Sequence, residues 1–128
     1  MKRRQFINVM IASSLAIILS SCFKPGPGKT VEKFHRSIET GELDQAIGLF
    51  SSSITDSFGT DKLRLAMSQA VSQTKEKGGI KSFKINNEEI TGDLAKVNYT
   101  IIYNDDSTTT DTIELIKENE QWKISPTK

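Results

Sequence analysis

Few residues of this 128-residue chain have the type and spacing to do chemistry, and the clearest is its only cysteine. Cys22 closes the stretch Leu19-Ser20-Ser21-Cys22, where a leucine and two small residues precede the thiol. That order predicts a lipoprotein processing site. In this reading the thiol is alkylated by a diacylglyceryl group and the peptide before Cys22 is cut. The new amine is then open to acylation by a fatty acid such as palmitate. Leu19, Ser20 and Ser21 form the recognition segment, because a peptidase must close around the backbone there and large residues would block it.

The residues ahead of this stretch fit the same reading. Lys2-Arg3-Arg4 is a positive start, and Val9 to Leu19 is an apolar run interrupted only by Ser13 and Ser14. A spanning helix needs roughly 20 apolar residues, so the run is short for a permanent anchor and suits an export signal. Several acyl chains on Cys22 would then hold the protein, each buried methylene contributing about 0.8 kcal/mol. Arg3-Arg4-Gln5-Phe6-Ile7 also resembles a twin-arginine export signal, so both that route and general secretion stay open. Phe23 is not the aspartate that retains many lipoproteins in the inner membrane, which leaves an outer-membrane destination open. The expected organisation is a signal peptide over residues 1–21, a lipidated Cys and Pro/Gly tether over 22–29, and one domain over 30–128. The protein is expected in a bacterial cell envelope, held to the membrane through Cys22 and facing the periplasm or exterior.

Other chemistry is sparse. His35, the only histidine, sits beside Phe34 on an amphipathic segment with no partner near it in sequence, and reads as a packing or rim residue. Glu88-Glu89 and Asp105-Asp106 fall at a strand end and a turn, where adjacent acids are usually solvated. No metal or other cofactor is expected. Without Lys2, Arg3 and Arg4, the 17 basic residues fall to 14 against 16 acids, formally −2. The positives are dispersed, which excludes a nucleic-acid partner.

The elements that must position any site follow from periodicity. Thr30 is placed to cap a helix carrying Val31, Phe34 and Ile38, with Gly41 as its stop. Leu43, Ala46, Ile47 and Phe50 line a second helix, which Ser51-Ser52-Ser53 ends. Leu63, Ala66, Met67, Ala70 and Val71 line a third, stopped by Gly78-Gly79. The period then changes to two. Phe83 and Ile85 open a strand, Ala95, Val97, Tyr99, Ile101 and Tyr103 alternate along the next, Ile113 and Leu115 point inward from a Thr-rich third, and Trp122 and Ile124 close the last. Three helices packed on a four-stranded antiparallel meander make an α+β domain.

The stretches TVEKFHRSIETGELDQAIGLF (residues 30–50), AKVNYTIIY (95–103) and ELIKENEQWKIS (114–125) resemble a family of small bacterial lipoproteins of unknown function. Their domain is related to nuclear transport factor 2 and has the cystatin-like fold. The resemblance implies a curved sheet wrapped around the helices, sometimes enclosing a cavity, and it implies no reaction. Some members of that superfamily abstract a proton next to a carbonyl with a Tyr and carboxylic acids inside the cavity. Tyr99, Tyr103, Trp122 and Asp111 are the residues here that would line such a space, Asp111 being the mid-strand acid on the parity of Ile113. The cystatin-like name also raises protease inhibition, but Gln69-Ala70-Val71-Ser72-Gln73 lacks the inhibitors' glycine and falls on a helix. Two functions are therefore carried forward. The first is a non-catalytic module binding an envelope protein, glycan or small lipophilic ligand; the second is a small cofactor-free isomerase or lyase.

Overall fold

A computed structural model describes residues 25–126. Four helices precede a four-stranded antiparallel sheet: α1 (Pro27–Thr40), α2 (Leu43–Ile47), α3 (Ser52–Phe58), α4 (Thr60–Glu76), then β1 (Ile80–Thr91), β2 (Leu94–Tyr103), β3 (Thr108–Glu118) and β4 (Gln121–Ile124). The strands are hydrogen-bonded in the order β1-β2-β3-β4. This is the expected α+β meander with one more helix than the sequence pattern indicates.

α1 starts three residues before Thr30. Gly26 is the extended N-cap and Pro27 opens the first turn, where its fixed φ is preorganised and its missing N–H costs nothing. The Pro/Gly segment therefore gives way to helix at Pro27 rather than after Lys29. The Thr30 hydroxyl makes no cap and instead donates to the Trp122 carbonyl at 3.3 Å, linking α1 to β4. A side chain at position 28 would meet the Glu88 carboxylate and lie 3.3 Å from Ile85 Cγ1, so Gly28 lets the start of α1 sit close on β1. Val31, Phe34 and Ile38 face the core as the periodicity requires. The helix ends at Gly41 with φ 80°, and Glu42 N–H closes the turn on the Ser37 carbonyl at 2.9 Å.

The serine run does stop α2, but it also starts α3. Ser51 is fully buried; its hydroxyl accepts from Ile54 N–H at 3.4 Å and donates to Ser125 Oγ at 3.0 Å. On either side of it, Ile124 N–H donates to the Leu49 carbonyl at 2.7 Å and Ser51 N–H to the Ile124 carbonyl at 2.8 Å. Phe50 and Ile124 thus form a parallel bridge along β4. In α4, Leu63 is buried and Met67, Ala70 and Val71 pack against the core, while Ala66, expected on that face, is exposed.

The core lies between the helices and one face of the sheet. Ala95, Val97, Tyr99 and Ile101 of β2, Leu115 of β3, and Trp122 and Ile124 of β4 are buried there. β1 begins at Ile80, earlier than Phe83, and its register shifts between Ile85 and Asn87. Asn86 is the extra residue at that irregularity, its side chain on the outer face while Ile85 remains opposite Tyr99. The outer face is wet and tied across the strands: Asn86 Nδ2 donates to Asn98 Oδ1 and Thr100 Oγ1, Asn98 Nδ2 donates to Thr112 Oγ1, and Thr100 and Thr110 share a hydroxyl bond, all at 2.8–3.0 Å. Asn119 and Glu120, at φ 50° and 65°, make the two-residue turn that starts β4. β4 pairs only with Leu115–Glu118. Among the described residues, no strand covers the edge of β3 from Thr108 to Ile113.

Two stability measurements check this packing. Ser51→Ala removes a cap and a buried hydroxyl pair, and should cost about 1–2 kcal/mol in urea unfolding, with Ser53→Ala close to neutral. Trp122→Ala should cost about 3–5 kcal/mol, as large core truncations do, and an unchanged midpoint would show that its indole carries no core packing.

Candidate functional site

The residues with chemical potential converge where α1 crosses the inner face of β1 and β2. His35 lies on α1 four residues after Val31 and three before Ile38, which turns it toward the sheet. Its ring centroid is 4.9 Å from that of Tyr99, 5.7 Å from Phe83 and 5.2 Å from Phe34. Phe83 and Tyr99 stack on each other at 5.7 Å, and Phe34 meets Phe50 edge-on at 5.4 Å. Aromatic rings therefore occupy the space between helix and sheet at contact distances.

Within this group the His35 Nε2 atom is sealed from solvent and has no hydrogen-bond partner. Burial lowers the His35 pKa from 6.5 to about 4, with the Asp111 carboxylate partly opposing the shift. The same burial raises Tyr99 to about 12, and Asp111 and Tyr103 add to that rise. At neutral pH the group is a neutral imidazole beside a protonated phenol. Asp111 has the parity of Ile113, and the β2–β3 register puts it directly across from Tyr99. It is nevertheless exposed, because β4 stops short of this part of β3. Its carboxylate accepts from Thr112 N–H at 2.8 Å and lines an open cleft of about 390 Å³ with Lys96 and Pro126.

The other sequence-derived residues are dispersed. Tyr103, four residues beyond Tyr99 at the end of β2, is half-buried with Lys77 Nζ 4.6 Å above its ring. Trp122 is buried on β4, where Lys117 Nζ lies 5.0 Å from its ring. The structure thus brings Tyr99 and Asp111 together and leaves Trp122 in a different part of the core. His35, read from sequence as packing or rim, does pack, and burial also keeps its imidazole neutral at neutral pH. The signal for it was the Val31, His35, Ile38 spacing, which lies on the buried side of α1. Leu19, Ser20, Ser21 and Cys22 lie outside the described residues. Among those described, no cluster of three or more His, Cys, Asp or Glu is arranged to hold a metal ion. No described helix is long and apolar enough to cross a membrane.

A neutral imidazole, a phenol and a carboxylate are the parts needed to hold a polar ligand or to move a proton. Here the first two are packed in rings and the third stands at a strand edge. Comparisons with known proteins fit this α+β frame. A family model described as a domain of unknown function, DUF4878, matches residues 20–125. No curated protein matches the chain. Among solved structures, a Campylobacter jejuni protein named as a candidate NTF2-like transpeptidase is similar at a TM-score of 0.70 and 20% identity, covering 78% of this chain and 97% of that one. The shared NTF2-like fold is what this likeness establishes.

The electrostatics of His35 make stability depend on pH. Its folded-state pKa lies below the unfolded value, so its contribution is complete above pH 6.5 and is lost as pH falls toward 4. Unfolding by urea should show a loss on the order of 3 kcal/mol at most over that interval. His35→Phe, which removes the titration, should flatten this part of the profile relative to the unsubstituted protein. At pH 7 the same variant should be no less stable, since it also removes an unpaired buried nitrogen. A pH profile identical in the two proteins would mean that His35 is solvated.

Proposed function

Since this chain belongs to the family described as a domain of unknown function, DUF4878, we propose that it is a lipid-anchored protein of the bacterial envelope whose NTF2-like domain is a non-catalytic binding module. The observation that carries the binding reading is the ring packing under α1. His35, Phe83 and Tyr99 fill the region that a cavity-based enzyme would leave open for substrate, and Asp111 stands exposed at an open cleft on the sheet edge, outside that region. The surface left for a partner is the outer face of the sheet. Its Asn86, Asn98, Thr100, Thr110 and Thr112 side chains are held in mutual hydrogen bonds and remain exposed or half-exposed. Such a face is rigid before binding, so an envelope protein or glycan meets it with little ordering cost.

The anchor reading rests on Leu19-Ser20-Ser21-Cys22 and the apolar run before it. A second reading is a cofactor-free isomerase or lyase built on Tyr99, Tyr103 and Asp111. The unpartnered His35 Nε2 favours it, because a buried polar atom without a partner, in a ring 4.9 Å from that of Tyr99, is a place for a ligand hydrogen bond.

Cells fed an alkyne-bearing fatty acid should label the unsubstituted protein and not Cys22→Ser, which should accumulate at precursor length. Labelled, mature-length Cys22→Ser would remove the anchor. For the domain, a photo-crosslinking residue at Thr110 in intact cells should capture a reproducible envelope partner, while one at Asp61 on α4 should not. Equal capture at both sites would remove the outer face as the binding surface.

A further inference from the structure

A second surface lies where the described chain begins. A cleft of about 890 Å³ opens between the first half of α1 and β4, with Pro25 and Gly26 on its wall. Lys29, Lys33 and Arg36 recur at i, i+4 and i+7 along α1, on the side away from Val31, Phe34 and Ile38, and all three line the cleft. Lys123 faces them from β4, its Nζ donating to the Gly48 carbonyl at 2.8 Å. The carboxylates in the cleft are Glu32 and Glu120. Glu32 is shared between Lys29 at 3.7 Å and Arg36 at 4.0 Å, and Arg36 also reaches Glu39 at 3.3 Å. Lys33 and Lys123 have no ion pair among the described residues. The cleft therefore carries more positive than negative charge, on a chain whose count after Cys22 cleavage is formally −2.

Position adds to charge. Cys22 is three residues before Pro25, a span of at most about 11 Å of extended chain. We propose that this cleft is a contact surface for anionic phospholipid headgroups, with Lys29, Lys33 and Lys123 meeting phosphates of the leaflet that holds the anchor. The proposal rests on the lipidated reading of Cys22. It deepens that reading by giving the domain a fixed side toward the membrane: α1 and β4 face the lipid, and another part of the surface is left for a partner. Lysines within a Debye length of an anionic surface are attracted to it, and the attraction falls with salt.

The test uses the full chain, purified in detergent from cells that produce it and added to preformed vesicles of phosphatidylcholine alone or with phosphatidylglycerol. Flotation reads the anchor, and labelling by a membrane-impermeant amine reagent reads the cleft, with Lys62 and Lys84 as internal references on α4 and β1. The expected result is flotation on both vesicle types. On anionic vesicles, labelling of Lys29 and Lys33 should also fall several-fold relative to Lys62 and Lys84, with the protection lost at high salt. The combined variant Lys29→Gln, Lys33→Gln, Lys123→Gln should still float on both vesicle types, and in competition between them should lose most of the unsubstituted protein's preference for the anionic vesicles. Flotation on both vesicle types with unchanged labelling would overturn the cleft proposal and keep the anchor. Flotation on anionic vesicles alone, abolished by salt or by the triple variant, would keep the cleft and overturn the anchor, and flotation on neither would overturn both. Protection of Lys29 and Lys33 by an acidic envelope protein, and not by anionic vesicles, would also overturn the proposal.

Discussion

The pair of backbone hydrogen bonds on Ile124 is the constraint on which the rest of the structure depends. Through them a strand of four residues, already paired on one side with β3, is joined on the other to the Leu49–Ser51 segment of the helical layer. Buried amides must find partners, and Ile124 finds both of its partners in a chain segment more than seventy residues away. Ser51 and Ser125 add a buried hydroxyl pair beside them, and the Thr30 hydroxyl adds a third tie from α1 to Trp122. With these ties made, Trp122 and Ile124 are held against the helices, and α1 lies across the sheet at a distance filled by rings.

That distance governs the chemistry. An NTF2-like sheet that stood further from its helix would leave a pocket; in this protein Phe83, Tyr99 and His35 close it. Closing it removes the imidazole and the phenol from water, which accounts for the direction of both shifts. Asp111 acts on both groups across the strand register, but from the wet side of the sheet edge. Histidine is a costly way to fill an apolar gap, because its unpaired nitrogen loses a bond to water that phenylalanine would never have made. Its presence there is the strongest reason to look for a ligand at this point, and the packing around it is the strongest reason to look elsewhere first.

Much of the frame was legible in the sequence because it is set by local periodicity. The change from a helical to a twofold period after Gly79 marks where the sheet begins, and Ala95 to Tyr103 alternates as the buried and wet faces of β2 do. What was not legible depends on residues far apart. Ser51-Ser52-Ser53 reads as a breaker until Ser125 and Ile124 bury Ser51 and make it a cap. Thr30 reads as a cap until Trp122 offers it a carbonyl and Pro27 has already begun the turn. Of the candidate site, the shared face of Tyr99 and Asp111 followed from strand parity, whereas their direct pairing comes from the β2–β3 register and the environment of His35 is made by Phe83 and Tyr99, neither of which is near it in sequence. The exposure of Asp111 comes from the shortness of β4, which no pattern around Asp111 records.

Among the described residues, the same short β4 leaves β3 with a bare rim from Thr108 to Ile113, and a bare rim is where a second strand can dock and where aggregates start. Threonine-rich strands take such docking readily, since β-branched residues favour the extended chain. Asp111 stands in the middle of this rim. In an antiparallel pair of identical rims centred on it, the two carboxylates would face each other and repel. That repulsion is a reason for an acid at this position that requires no substrate at all.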